Sequence, residues 1–498
     1  MRGPTGAAGA PGPFDADARA AVRNASYLVA QRALDLLRAV AFAALVPRLL
    51  GPADFGRFAL LASVAHWFAL LSGLGSTQLL GRFVPVLLLE RKTAETRRLL
   101  GNLLALRSLT GAAAALAYVA LLVAWFPDLT LGLLLPVAAS VALRSAANVP
   151  FAFFLGLNQA ARWGAGEVAR RWSSFVLVGT GAVLAGVGGA CLGVALAEVV
   201  VLALGLRWAR PHVGWSDVRV EREFLAPFLR FNLAFFGSNL LFSLGQRAGE
   251  PIVRAVEGDY AQVGYFGLAS AAYIAATHGM WQFLMAFLPL LSRLRARGRH
   301  AQAREWAARL SKVLGAAGAV GCLSAWLVGP DAVRLLAGPA FAPAAALLLP
   351  VAVAVVFQAF GSMGRLLALV LEQPKISMMA VAAQTVVMVS LGVPLAGRFG
   401  AWGVAVATAA AGSVQAAVYA AAMPREMRLP LGPAAGVLGL AVVLAPLVWV
   451  RPDDVWARVA LWAGVTLAYG AGLRAVGLVT RKELAALRNV FSAGGDTP

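Results

Sequence analysis

Apolar windows of about twenty residues follow one another along nearly the whole chain, separated by short polar stretches, and each is long enough to cross a hydrocarbon core of roughly 30 Å as a helix. The pattern predicts about fourteen spans, at 25–47, 57–80, 101–126, 129–155, 165–187, 189–206, 231–253, 264–291, 310–328, 344–371, 377–396, 402–422, 434–450 and 455–473. Lipid admits only helices or closed barrels, because backbone N–H and C=O groups have no water to bond, and runs this long and continuous are not barrel strands. The predicted fold class is an all-α polytopic membrane protein.

The polar positions also suggest a repeat. Sliding the chain by 208 positions lays Asn24 on Asn232, Tyr27 on Phe235, Gly56 on Gly264, Phe58 on Phe266 and Leu60 on Leu268. Six spans separate the first span from the seventh, so the repeat is parallel, as in transporters built from two lobes. The expected organisation is a disordered tail over 1–20, an N-lobe over 21–209, a linker over 210–230, a C-lobe over 231–422, two further spans within 434–473 and a second tail over 474–498. Two six-helix lobes meeting face to face leave a central cleft. Residues 1–20 have no apolar core, so they read as a tail and not as a cleaved signal.

Composition agrees with the windows: of 498 residues 60% are hydrophobic and 13% charged, and the mean hydropathy is +0.76. The net charge of +20 is mostly topology. Alternate loops, beginning with the N-terminus, carry 28 basic residues against 6 on the other set, which places both termini in the cytoplasm by the positive-inside rule. The excess then faces anionic headgroups, and a nucleic-acid partner is excluded. Cys191 and Cys322 are apolar-flanked thiols with no metal-ligand spacing.

The remaining charges fall inside the spans, where a central arginine raises the insertion cost by roughly 2.5–3.5 kcal/mol. Asn24, Gln31, Asp35 and Arg38 lie on one face of the first span with Arg32 at its edge, and Asn232, Asn239, Ser243, Gln246 and Glu250 form a similar stripe in the seventh with Arg247 beside them. Each stripe faces either a neighbouring helix or a water-filled cavity. Arg144 is central in the fourth span. Arg107 and Arg365 lie nearer cytoplasmic ends and can snorkel, and Arg170, Arg171 and Arg458 read as snorkelling side chains. The candidate cationic cavity is Arg32, Arg38, Arg144, Arg247 and Arg365, suited to phosphate oxygens through paired hydrogen bonds. Asp35 and Glu250, with Glu198 third, are the candidates for coupling to H+ or Na+. His66 and His278 read as hydrogen-bonded core residues. No phosphate loop, HExxH or paired carboxylates on a large loop appears, so no catalytic, cofactor or metal site is expected.

The stretch from Leu49 through Gly51, Pro52, Ala53, Asp54, Phe55, Gly56 and Arg57 to Phe58, followed by Gly73-Leu74-Gly75 and Arg82-Phe83-Val84-Pro85, resembles the start of bacterial polysaccharide-biosynthesis flippases. Gly264-Tyr265-Phe266-Gly267, Leu336-Ala337-Gly338-Pro339-Ala340-Phe341 and Arg398-Phe399-Gly400-Ala401-Trp402-Gly403 echo the family in the same order. The family belongs to the superfamily that joins multidrug exporters, lipid-linked oligosaccharide flippases and the peptidoglycan-precursor flippase. The resemblance implies two bundles of six helices with two added spans in a bacterial inner membrane. It also implies movement of an undecaprenyl-pyrophosphate-linked oligosaccharide, an O-antigen or exopolysaccharide unit, between leaflets by alternating access. Partner glycosyltransferases and a polymerase, and a doorway between spans 1 and 8, follow by the same analogy. Two rivals stand beside it. A drug or cation exporter of that superfamily would want an acidic, aromatic cavity, and a membrane-embedded polymerase or ligase would want a large outward loop, whereas the longest here covers about 329–343.

Overall fold

The computed structural model describes residues 13–480, apart from 215–216, 425–426, 428–430 and 449–450. The side chains before residue 37 and at 227–235 lie outside that description, and with them Asn24, Gln31, Arg32, Asp35 and Asn232. The chain forms helices α1 (Pro13–Leu71), α2 (Ser76–Leu89), α3 (Thr93–Trp125), α4 (Leu131–Gly156), α5 (Ala160–Ala209), α6 (Arg222–Gln246), α7 (Gly249–Glu257) and α8 (Tyr260–Met285). It continues through α9 (Leu288–Ala296), α10 (His300–Leu327), α11 (Gly329–Ala337), α12 (Ala345–Val370), α13 (Pro374–Ala422), α14 (Leu431–Leu444) and α15 (Val455–Ala475). No strand occurs among the described residues.

Among the described residues eight helices are long and apolar enough to cross a bilayer, and some must cross twice: α5, at 50 residues, would run about 75 Å if straight. The turning points are glycines in a conformation that a side chain disfavours. Gly186 (φ 58°, ψ −141°) folds α5 and Gly400 (φ 60°, ψ −143°) folds α13 in the same way, 214 positions apart, while Gly51 (φ 73°) breaks α1. Behind the two matched corners the legs touch backbone to backbone. A Cβ on Gly189 would meet the Gly181 carbonyl at 2.0 Å, and one on Gly403 would meet the Leu395 carbonyl at 2.1 Å. The shift from 208 to 214 along the repeat has a local cause: α11 and a 3-10 turn at Pro339–Ala344 stand where the N-terminal half has only the short connection between α3 and α4.

The two halves meet at the pair that the 208-residue slide superposes. A Cβ on Gly56 would lie 1.9 Å from the Tyr260 carbonyl, and one on Gly264 would lie 2.1 Å from the Pro52 carbonyl, with Pro52 and Tyr260 themselves 208 apart. Only glycine on both helices allows α1 and α8 so close, and the reciprocity marks the approximate two-fold axis between the halves.

The structure differs from the sequence expectation at several joints. Helix α1 begins at Pro13, inside the stretch expected to be a tail. Proline at the first helical position and Asp15 and Asp17 near a helix N-terminus favour that start. Helix α6 begins at Arg222, within the expected linker, and the seventh span breaks at Arg247 into α6 and α7. The C-terminal tail from 481 lies outside the described residues.

Candidate functional site

The break between α6 and α7 places two charges where helix dipoles favour them. Arg247 closes the C-terminus of α6, and Glu250 sits in the first turn of α7. Gly249 makes the break compact, because a Cβ there would strike the Phe266 ring at 2.2 Å. The Glu250 carboxyl is buried beside Ser270 of α8 and Ser63 of α1, so it stands at the junction of the halves. Arg247 lies within electrostatic reach of Glu250, of Arg144 on α4 and of His66 on α1. His278 on α8 faces Arg247 and Arg171. Residues 66, 144, 171, 247, 250 and 278 are thus linked by electrostatic reach.

The polar stripe of the seventh span turns inward as expected. Arg365 Nη2 donates to Asn239 Oδ1 at 2.9 Å, Gln246 Nε2 donates to Thr277 Oγ1 at 3.3 Å, and Trp67 Nε1 of α1 donates to the Ser243 carbonyl at 3.3 Å. Arg365 also stacks against the rings of Trp281 (4.8 Å) and Phe242 (5.1 Å). Two aromatic faces and an amide hold this guanidinium in a setting that keeps its charge uncancelled. Arg38 is half-buried on α1.

Arg170 and Arg458 do not snorkel. Arg170 donates to Glu198 (3.3 Å), Glu167 (3.0 Å) and Asn148 (2.7 Å), and Arg458 grips Asp331 through two bonds of 2.8 and 2.7 Å. Glu198 reaches Arg170 across the bend in α5, and Asp331 reaches Arg458 from α11, which periodicity within one straight helix cannot reveal. Glu198 also faces Arg144 at 3.8 Å, and Glu167 faces Arg171 at 3.7 Å. The Arg144 side chain retains 42% exposure.

Two further features carried a weak sequence signal. Arg107 is 2% exposed, with Nε bonded to the Ser145 carbonyl (3.0 Å) while Ser145 Oγ returns a bond to the Arg107 carbonyl (2.7 Å). In the C-terminal half Gln358 accepts from Tyr273 (3.1 Å) and Gln384 (3.0 Å) and donates to Gln415 (3.0 Å). Three glutamines inside apolar spans were the available sign of this network.

At the arginine-poor end the halves are latched. Asp128, between α3 and α4, accepts from Arg254 Nη2 on α7 (2.9 Å) and from Tyr260 Oη on α8 (2.6 Å), and the Tyr260 ring receives Arg254 (4.4 Å) and Arg57 (4.9 Å). Phe341 packs edge-on against Phe55 (5.8 Å) and Tyr265 (6.1 Å) beneath. Partial burial pushes the Asp128 carboxyl up, but the bonds from Tyr260 and Arg254 outweigh it and hold the group below the usual aspartate range. A depressed value in the latched state means that the latch is at full strength at neutral pH and weakens only as pH falls through the acid range. Asp128→Asn is expected to loosen closure by about 1 kcal/mol, the scale of a half-exposed pair. Double electron–electron resonance between spin labels at Leu131 and Glu257, with Cys191 and Cys322 replaced by serine, would show a longer-distance population in the variant. An unchanged distribution would remove the latch.

No protein-family model matches this chain, and no curated protein matches its sequence. Solved structures do. An inward-facing multidrug-resistance MATE family transporter of the MOP superfamily matches with TM-score 0.67 at 18% identity, covering 77% of this chain and 92% of the other. The lipid II flippase MurJ, in an inward closed conformation, matches with TM-score 0.67 at 14% identity, covering 91% and 99%. An outward-facing MATE family transporter matches with TM-score 0.50 at 17% identity. The chain is a multi-pass helical membrane protein with the fold of MOP-superfamily transporters.

Proposed function

We propose that the protein is a flippase that carries an undecaprenyl-pyrophosphate-linked oligosaccharide across the bacterial inner membrane by alternating access, with both termini in the cytoplasm. The observation that carries the reading is the sign of the buried charge. Among the described residues Arg144, Arg170, Arg247 and Arg365 outnumber Glu167, Glu198 and Glu250, and Arg365 is held by an amide and two rings. Such a surplus favours an anionic head, and guanidinium groups match pyrophosphate oxygens two at a time.

A state closed at the arginine-poor end admits the head from the other side, and the prenyl tail stays in lipid. The substrate must bind the two states unequally to shift the bundle between them. Glu250, and Asp35 from the first span, are the groups through which H+ or Na+ would couple. Glycosyltransferases and a polymerase would act before and after the step. A drug or cation exporter is the second reading, favoured by the MATE likeness and opposed by the positive interior.

The test is purified protein in liposomes carrying, in turn, fluorescent undecaprenyl-pyrophosphate-linked sugar and an organic cation such as ethidium. Protein-dependent movement of the lipid-linked sugar alone is expected. Movement of the cation alone would overturn the assignment.

A further inference from the structure

The approximate repeat leaves two pieces of the chain without a counterpart: α11 with the 3-10 turn behind it, and the pair α14–α15 that follows the second half. These two extras are tied to each other. Arg458, in the first turn of α15 and 8% exposed, donates through Nε and Nη2 to both oxygens of Asp331 in the first turn of α11, at 2.8 and 2.7 Å. Its Nη1 donates to the Pro452 and Asp453 carbonyls, both at 2.8 Å, so the same guanidinium shapes the loop that leads into α15. Arg451 of that loop stands 3.9 Å from Asp331. The pair is also fixed to α10. Trp462 Nε1 donates to Ser324 Oγ at 2.9 Å, and Trp326 Nε1 donates at 3.0 Å to the carbonyl of Val448, in the 3-10 turn Ala445–Val448 after α14.

The opposite side of α11 lies on α1, across the junction between the halves. There Arg48, an exposed side chain, donates to the Leu335 carbonyl, and Phe341 of the 3-10 turn meets Phe55 edge-on at 5.8 Å. The two attachments differ in strength. A bond from an exposed guanidinium to one carbonyl competes with water, whereas a buried guanidinium seated on both oxygens of a carboxylate leaves an uncompensated charge when either partner is withdrawn. If the halves part at the arginine-poor end, α11 cannot keep both attachments, and the weaker one gives way. Gly338 (φ 95°, ψ 169°) joins α11 to the 3-10 turn in a conformation that a side chain disfavours, and it supplies a pivot there.

We propose that α11 is a lid over the arginine-poor mouth, carried by the two C-terminal spans: on opening it lifts from α1 and stays on α15 through the Asp331–Arg458 pair. The assignment concerns the state of the mouth and holds for any cargo. Arg458 acts through α11 and is a positioning residue.

Double electron–electron resonance on the protein in nanodiscs, with Cys191 and Cys322 replaced by serine, reads two pairs of spin labels at exposed positions: 131 with 335 across the mouth, and 335 with 456 between α11 and α15. The mouth is forced with Gly56→Ala, whose Cβ would lie 1.9 Å from the Tyr260 carbonyl, and with Asp128→Asn where that variant does not fold. Forcing is expected to lengthen the 131–335 distance and to leave 335–456 as it was. Adding Arg458→Gln is expected to reverse the pattern, since α11 then stays on α1 and the 335–456 distance lengthens instead. Arg458→Lys, which keeps the charge without the paired donors, should fall between. A loss of stability alone would not exchange one distance for the other. Lengthening of 335–456 on forcing alone, of both pairs, or of neither overturns the lid, and an unchanged 335–456 distance in the forced Arg458→Gln protein overturns the anchor.

Discussion

Arg247→Ala is expected to reduce outward movement of a pyrophosphate-linked sugar by about two orders of magnitude, because removing one partner of a buried charge-assisted contact costs roughly 2–5 kcal/mol and each 1.36 kcal/mol is tenfold in rate. Arg247 terminates a half-helix between the two halves, with Arg144 opposite and Glu250 beside it. The single variant also strips Glu250 of its counter-charge, so the double variant Arg247→Ala, Glu250→Gln is the needed control. If Arg247 meets the substrate, the double variant stays slow. If Arg247 only neutralises Glu250, the double variant recovers, and the arginine is structural. Arg247→Lys keeps the charge but loses the paired donors, so an intermediate rate is expected. Initial rates in liposomes, normalised to inserted protein, provide the measurement.

Glu198→Ala is expected to lower stability by about 1.5–3 kcal/mol, the scale of a hydrogen bond to a charged group, because Arg170 keeps other partners and Arg144 reaches solvent. Glu198 is 4% exposed and bridges Arg170 and Arg144, which tie α4 to both legs of α5. Arg170 keeps Glu167 and Asn148, so the helices stay together while their packing loosens. Thermal unfolding in detergent, followed by tryptophan fluorescence, would show a clear downward shift of the midpoint. Glu198→Gln retains an acceptor and should fall less far. A midpoint within a degree or so of wild type in both variants would mean that water already solvates the pair.

The fold was largely legible in the sequence because lipid leaves so little choice: apolar windows of bilayer length can only be helices, and the glycines at 51, 186 and 400 do the bending between them. The pair Gly56 and Gly264 told more than a loose repeat. These are the residues at which the halves touch, and only an uncluttered backbone on both sides permits that contact. The break at Arg247 was legible only in part, in the run Gln246-Arg247-Ala248-Gly249-Glu250-Pro251, and what the run does not show is the fit of Gly249 against Phe266 from another helix.

The site was legible as a set of charges and not as a set of partners. Arg144 stands out by its depth and Arg247 by its place beside the stripe of the seventh span, and Arg247 lies within electrostatic reach of Arg144, Glu250 and the two histidines. Arg365, expected near a cytoplasmic end, bonds Asn239 of the seventh span's stripe. Arg170 was misjudged because its carboxylates, Glu167 and Glu198, lie three residues before it and across the bend at Gly186, and a corner in α5 decides who meets whom. Arg107, held by the Ser145 carbonyl, offered no side-chain partner to search for.

The central claim is that the guanidinium groups between the halves receive an anionic head. The most direct measurement is a cryo-electron microscopy structure of the protein in nanodiscs with undecaprenyl pyrophosphate. The account predicts phosphate density between the halves within hydrogen-bonding distance of Arg247 and Arg144, with the Arg144–Glu198 contact opened. Phosphate density at the outer surface of the bundle, with Arg144 still on Glu198, would contradict it.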